Sequence, residues 1–434
     1  MKGIKKKLKI LFKRFKTQCL SPNREERKMF WRWLLSKFWK GKFPGKVSSK
    51  RNRLLHENRM SVFSLIKAAR EEDKKIVCIL APIFTEERLK NGYYQRIKAI
   101  DDIMGAKTLK IYMSFDCEPQ EQVDVPFIRK IDSEHIQLAY FQESEFSRDY
   151  ASQVADAADI LYLHGVGYLD EDIIRKKHLL KIVDLHGALP EEFAMNGNYP
   201  AVQRESIHEE LAMRYADYIV CVTQSMVEHM QKKYVSYRQN YIVLPILSEK
   251  ALNTKAESKT PNESLPRPVI TYAGGMQSWQ MIPEMQTCMR QQPGYDYRIY
   301  TAEPEKFWEY WGKVPALKWM LVESAETDQL YRNYRQCQYG FVLREDSIVN
   351  HVACPTKLIE YILNGIVPIM NTAHLGDFVK DGMAYLTMED FCAGKLPDNT
   401  LREQMAQDNQ KVIDRIIEKH QTGKQKLQQL IWGA

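Results

Sequence analysis

The chain reads as an α/β protein with two doubly wound parallel sheets facing each other across a cleft. Three observations carry this. From Lys74 onward, short apolar runs alternate with helical patterns, the order that builds a parallel sheet with helices on both faces. Residues 248–268 then form a polar stretch with Pro261, Pro266 and Pro268 and no apolar period, the composition of an interdomain linker. After it, the alternation starts again at Val269. A chain of 434 residues is long enough for two or three domains with separate cores. Its apolar share of 44% and charged share of 27% exclude a disordered or fibrous protein.

The first 73 residues form an extension of their own. Residues 1–53 hold 19 Lys and Arg against Glu25 and Glu26, a net +17; the remainder holds 44 basic against 53 acidic residues, a net −9. A mildly acidic body therefore carries a strongly basic arm. Ile4, Leu8, Leu11, Phe12 and Phe15 recur at helical spacing with lysines around them, and Trp31, Trp33 and Trp39 follow among basic residues. Such an amphipathic helix suits an anionic membrane surface. A nucleic-acid arm and a helix docked on the body are the other readings. Three clustered tryptophans favour the interface, and the acidic body argues against nucleic acid. The longest apolar run, Ile76 to Phe84, spans nine residues, short of the ~20 a spanning helix needs. Lysines interrupt the N-terminal apolar segment, so no secretory signal is read there. The eight cysteines show no metal-ligand spacing and several lie in apolar runs, the pattern of buried free thiols in a reducing compartment.

A first domain is expected over 74–247. Its strands are Lys75 to Ala81, Thr108 to Met113, Ile136 to Phe141, Ile160 to His164, Lys181 to Leu185, Tyr218 to Val222 and Tyr241 to Pro245, with helices at Tyr94 to Met104 and Ala201 to Ala216. Asn91-Gly92 precedes the helix that carries Arg96. In KIVDLHGALPEE (181–192) an apolar strand ends in Asp184, His186 and Gly187. A histidine there reaches a ligand at the cleft mouth or is satisfied by nearby backbone; His164-Gly165, one strand earlier, is its rival. Asp170-Glu171-Asp172 has the D-x-D form of a metal motif, but acidic residues opening a helix are expected from the helix dipole alone, so it is read as a cap.

A second domain is expected over 269–400, with strands at Val269 to Tyr272, Tyr297 to Thr301, Trp319 to Val322, Phe341 to Leu343 and Val367 to Ile369, followed by a charged helix within 401–434. Ala273-Gly274-Gly275 ends its first strand, and paired glycines let backbone approach a phosphate. Tyr339 to Asn371 reads as strand, loop, helix, strand. Pro355 opens the helix, Leu358, Ile359, Ile362 and Leu363 give it a core face, and Asn364-Gly365 closes it. Thr356, Lys357 and Glu360 fall close together near its N-terminus. A helix N-terminus attracts phosphate, Arg344 and Lys357 add positive charge, and a carboxylate one turn deeper suits ribose hydroxyls.

That stretch resembles the nucleotide-sugar site of the GT-B retaining glycosyltransferases of family 4. Capsule and exopolysaccharide members carry prolines, lysine, glutamate, tyrosine and glycine that match Pro355, Lys357, Glu360, Tyr361, Gly365 and Pro368. The resemblance covers roughly 75–410. It implies two Rossmann-like domains, with Gly92, Gly274, Gly275, Arg344, Asn350, Thr356, Lys357 and Glu360 on the nucleotide sugar and His186 as the catalytic contact. It also implies that the terminal helix returns to the first domain. It implies no cofactor and no metal; the partners are a nucleotide sugar, a saccharide acceptor that is lipid-linked, and the anionic membrane. The setting is surface-polysaccharide synthesis on the cytoplasmic face. In one respect the chain departs from the family: Val352 stands where many members have a second glutamate. A non-catalytic nucleotide-sugar-binding partner and a GT-B epimerase remain as alternatives.

Deleting residues 1–53 is expected to release the protein from anionic liposomes. Undiminished flotation of the truncated chain would remove the membrane role of the arm.

Overall fold

The structure, a computed structural model, describes residues 62–115, 126–141, 144–247 and 267–433. The basic arm and nearly all of the 248–268 linker lie outside the described residues. The first sheet has eight strands: β1 (Lys75–Leu80), β2 (Thr108–Ser114), β3 (Phe127–Lys130), β4 (His135–Ala139), β5 (Ile160–His164), β6 (Leu180–Leu185), β7 (Tyr218–Cys221) and β8 (Asn240–Val243). Their order is β3-β4-β2-β1-β5-β6-β7-β8, parallel throughout except for the antiparallel β3–β4 pair. The central β1, KIVCIL, is buried from its second residue to its last, as a strand covered on both faces must be.

The second sheet has six strands: β9 (Val269–Ala273), β10 (Asp296–Tyr300), β11 (Met320–Glu323), β12 (Tyr339–Phe341), β13 (Val367–Met370) and β14 (Leu386–Thr387). Their order is β11-β10-β9-β12-β13-β14, every pair parallel. In each sheet the strand order reverses beside the first strand, at β1/β5 and at β9/β12, and ligands of open α/β sheets bind outside the strand ends at such a point. The alternation read from sequence gives these strands to within about two residues. It misses β3, a four-residue edge strand with two exposed positions, and β14, of two residues.

Seven helices matter below: α1 (Gly92–Met104), α2 (Leu189–Met195), α3 (Gln224–Lys233), α4 (Ile282–Gln291), α5 (Ile348–His351), α6 (Thr356–Leu363) and α7 (Asn399–Trp432). α6 lies tight on the second sheet because Gly340 in β12 has no side chain; a Cβ there would collide with the Tyr361 ring. Tyr361 completes the seat, its hydroxyl accepting from Ala273 N at 2.9 Å. The 34-residue α7 spans about 50 Å at helical rise. It runs from the second domain, where Gln410 donates to Ile362 O at 2.5 Å, to the first, where Trp432 Nε1 donates to Met104 O at 3.0 Å. The return expected by resemblance is therefore present. Gly423 permits it, since a Cβ would collide with Val243 O.

A second tie joins the domains. Asp377 caps the N-terminus of α3 from across the interface, its carboxylate accepting from Gln224 N at 2.7 Å and from Ser225 N at 2.8 Å. Thr223 Oγ1 donates to Val352 O at 2.7 Å beside it. Elsewhere, Asp170 accepts from Asp172 N at 3.0 Å and Ile173 N at 3.2 Å, the cap read from sequence.

The cysteine reading needs correction. Cys78, Cys221, Cys337 and Cys354 are buried thiols outside any disulfide, but Cys288 on α4 and Cys392 form a disulfide with Cα atoms 5.2 Å apart. They lie 104 residues apart in the chain, so no local spacing announces the pair.

Asp377→Ala is expected to lower stability by about 1–2 kcal/mol, the scale of a lost cap at a helix N-terminus. Urea unfolding reads this directly; an unchanged midpoint would mean that Asp377 does not tie the domains.

Candidate active site

Beyond β9 the backbone turns through Gly274 at φ +154°. A Cβ there would stand 3.2 Å from both Lys357 Nζ and the Tyr272 hydroxyl, so any larger residue would crowd the lysine end. Lys357 Nζ donates to Gln280 Oε1 at 3.1 Å and rests 4.0 Å from the Tyr272 ring centroid. Arg344, reached past β12, donates from Nη1 to the same Gln280 oxygen and to Leu343 O. Two cations thus converge on one neutral carbonyl, with Arg344 8% and Lys357 9% exposed. Burial lowers the Arg344 pKa. Burial first, and the Arg344 charge second, push Lys357 well below the usual lysine range against a smaller opposing pull from Glu360. Like charges held out of water beside neutral acceptors are an anion site by electrostatics.

Thr356 and Glu360 lie on another face of α6. Both line a cavity of about 380 Å³ between the domains, whose other wall includes Gln95, Lys98 and Ala99 of α1 and His420 of α7. The half-buried Glu360 accepts from the Tyr334 hydroxyl at 3.4 Å. The sequence groups Thr356, Lys357 and Glu360 on one side; the structure separates Lys357, which turns to the β9 end. Gly275 brings its carbonyl to 2.5 Å from the Tyr272 hydroxyl, which donates to it. Asn350 is buried, with Nδ2 donating to Glu345 O at 2.8 Å and Ser347 Oγ at 3.3 Å. Gly92 opens α1 with free space around it.

In the first domain His186 stands over a closed network. Arg96 clamps the carboxylate of Asp184 with two bonds, Nε to Oδ2 at 3.0 Å and Nη2 to Oδ1 at 2.9 Å, and donates to Leu244 O at 3.0 Å. The Tyr162 hydroxyl adds a bond to Oδ2 at 3.0 Å. His186 Nε2 is 3.3 Å from that oxygen and 3.2 Å from His164 Nδ1. Burial opposes ionisation of Asp184, but Arg96, and then His186, outweigh it and hold the carboxyl well below its usual range. Burial, reinforced by His186, keeps His164 well below the usual histidine range. Nδ1 of His186 and Nε2 of His164 are both buried without a hydrogen-bond partner among the described residues, so the imidazole pair is held from the Asp184 side alone. The sequence associates Arg96 with the glycine turn; the structure instead commits it to Asp184. Burial raises the Glu192 pKa, with the charge of Glu191 adding to it, and Glu192 packs against Gly187, where a Cβ would collide with it. Short of a fold, neither Gln280 nor Tyr272 carries a signal in the sequence; each is set by one helix or strand register.

The same architecture occurs in solved structures. A trehalose-6-phosphate synthase superposes with TM-score 0.55 at 11% identity, over 81% of this chain and 97% of that one. A sucrose-phosphate synthase from Thermosynechococcus elongatus gives 0.53 at 11%, over 83% and 100%. A glycosyltransferase from Rickettsia africae gives 0.53 at 11%, over 83% and 99%. No family model matches the chain, and no curated protein matches it in sequence. The fold is GT-B. Within this GT-B frame, α5 touches α2, the helix that follows His186, so the loop beyond Arg344 meets the first domain next to its histidine cluster.

Asp184→Asn is expected to cost about 3–5 kcal/mol, because Arg96 would remain buried with its countercharge gone. Since the folded-state pKa is depressed, the stabilisation is present above about pH 4 and lost as pH falls further. Denaturant unfolding at pH 7 tests it; a loss below about 1 kcal/mol would indicate a solvated rather than buried pair.

Proposed function

We propose that the protein is a glycosyltransferase that moves a sugar from a nucleotide-diphosphate sugar to a saccharide acceptor. The single observation that carries this is the Arg344–Lys357 pair, two buried cations sharing one neutral oxygen at a strand-order reversal. Structures of the same fold support it: a trehalose-6-phosphate synthase from E. coli (TM-score 0.52) is bound with UDP-2-fluoro glucose. One from Burkholderia xenovorans (0.53) is in complex with glucose-6-phosphate.

The diphosphate takes its place above Gly274 and Gly275 against Arg344 and Lys357, with the N-terminus of α6 contributing its dipole. Glu360 accepts the ribose hydroxyls and Thr356 lines the approach. As the glycosidic bond breaks, charge gathers on the departing diphosphate, and preorganised cations stabilise that charge more than they stabilise the ground state. His186, held through Nε2 beside Asp184, is the first domain's contact for the transferring sugar or its acceptor. Gly92 leaves room at the start of α1, and Asn350 keeps the loop before α6 in shape beside the sugar.

Transfer with retention, in the manner of family 4, follows from the match over Pro355 to Pro368. The acceptor is lipid-linked and the reaction belongs to surface-polysaccharide assembly at the cytoplasmic face of a membrane, where the basic arm holds the enzyme. No helix among the described residues is long and apolar enough to cross a membrane. One observation favours a second reading, a nucleotide-sugar-binding partner without catalysis: Val352 is buried at 1% exposure and supplies no carboxylate to the sugar.

A panel of nucleotide sugars screened by thermal shift, then assayed for nucleotide release with and without lipid-linked acceptor, tests the function. One donor is expected to raise the Tm and to release nucleotide only with acceptor; stabilisation without release supports the second reading. Arg344→Ala and Glu360→Ala are each expected to weaken donor binding by about tenfold or more, the value of one lost charge-assisted contact. Full activity in both removes the site. A bound diphosphate raises the lowered Lys357 pKa, so at pH values between the free and bound pKa binding takes up protons, visible across a pH series as a calorimetric enthalpy that varies with the buffer's ionisation heat. A buffer-independent enthalpy would contradict the lowered Lys357 pKa.

A further inference from the structure

Past the cation pair, two loops of the second sheet are laced together. Asn371 binds the backbone of Arg344 in both directions, Oδ1 accepting from N at 2.8 Å and Nδ2 donating to O at 2.7 Å. Further out, Gly376 N donates to Asn350 O at 3.2 Å, while the Asn350 side chain holds Glu345 O and Ser347 Oγ. Between these clamps three side chains converge. His351 Nε2 stands 2.5 Å and His374 Nδ1 3.6 Å from the same oxygen of Asp346, and the imidazole centroids are 5.1 Å apart. One ligand atom from each residue lies within 4.8 Å of the other two.

We propose that Asp346, His351 and His374 bind a first-row divalent transition-metal ion such as zinc at the mouth of the cleft. The donor set selects the ion: two imidazole nitrogens and one carboxylate suit Zn²⁺, Co²⁺ or Ni²⁺, whereas Mg²⁺ and Ca²⁺ take oxygen ligands. Metal–ligand bonds of about 2.0–2.2 Å place tetrahedral ligand atoms about 3.3–3.5 Å apart. The side chains of Asp346 and His374 are 63% and 67% exposed and that of His351 36%, so rotamer adjustment brings them there while the clamped backbone holds still. Three protein ligands leave a position for water or an oxyanion, and α5 brings it up against α2 of the first domain. A phosphate or carboxylate oxygen of a molecule entering the cleft fits that position. The other His-Asp-His group, His164, Asp184 and His186, does not qualify, because the Arg96 guanidinium already holds both Asp184 oxygens. The inference stands apart from the glycosyltransferase reading, since it asks only what these three side chains bind.

Tag-free full-length protein titrated with Co²⁺, followed by visible absorption, and with Zn²⁺, followed by calorimetry, tests it. The expected result is one ion per chain with Zn²⁺ preferred over Mg²⁺. Asp346→Asn, His351→Ala and His374→Ala should each weaken binding by at least about tenfold, a loss seen even for outer-shell partners. The His351→Ala/His374→Ala double variant should abolish binding at an unchanged Tm of the metal-free protein, and His186→Ala should bind like the parent. Absence of saturable binding, parental binding by the double variant, loss confined to His186→Ala or a preference for Mg²⁺ each overturns the proposal.

Discussion

Two positive charges removed from water without a carboxylate govern the second domain. Arg344 and Lys357 come from different elements, a strand end and a helix start, and meet on Gln280. Holding them there costs desolvation that one amide oxygen does not repay. The surroundings limit the cost by geometry: the Tyr272 face lies under the lysine, a favourable cation–π placement. Asn371 fixes the backbone from which Arg344 projects. At Gly340, beneath Tyr361, no Cβ fits, and at Gly274, beside the lysine, the backbone at φ +154° strains any other residue. Local features of the domain from β9 to β13 thus serve a charge arrangement that favours folding less than it favours an anion.

The first domain treats buried charge in the opposite way. Arg96 and Asp184 are both fully buried, yet they share a two-bond clamp, and Tyr162 and Leu244 O satisfy what remains. The ion pair itself is satisfied on both sides, a platform rather than a receptor. Only the imidazoles above it keep unpartnered atoms, the buried His186 Nδ1 and His164 Nε2. One domain therefore holds a charge deficit waiting for a ligand and the other a neutralised base plate beneath an imidazole pair. The two halves of the cleft differ in chemistry although they share a topology.

Much of this was legible from sequence because it is local. The βα alternation, the Pro355 entry and Gly365 exit of α6, the glycine pair after β9 and the Asp170 cap each depend on neighbours within a few positions, which pattern rules read well. Arg344 and Lys357 are both read from sequence as charge for one diphosphate, and both side chains reach Gln280 Oε1. Contacts across long separations were not legible. Gln280 lies 64 residues from Arg344, Arg96 lies 88 from Asp184 and Cys288 lies 104 from Cys392. Such pairs are determined by strand order and helix rotation, which single-residue preferences do not encode. β3 and β14 were missed for a different reason: edge strands of four and two residues bury too little to leave a pattern.

The interface explains why the loop before α6 carries so many roles. Val352 O accepts from Thr223 of the first domain, and Gly376, at φ +53°, admits the close approach of Ala353 O. Asp377 next to it caps α3. The segment that leads into α6 is thus pinned to the opposite domain at Val352, the position where many members of the resembled family have a second glutamate. A glutamate at position 352 would have to remain in this packed joint, ionised and unpaired, or swing out and break the joint. Desolvation of several kcal/mol makes the first arrangement unfavourable, and the second requires the main chain at 352, whose oxygen Thr223 holds, to shift. Valine, buried at 1% exposure, therefore suits a position where the two domains are joined this tightly, and a carboxylate does not.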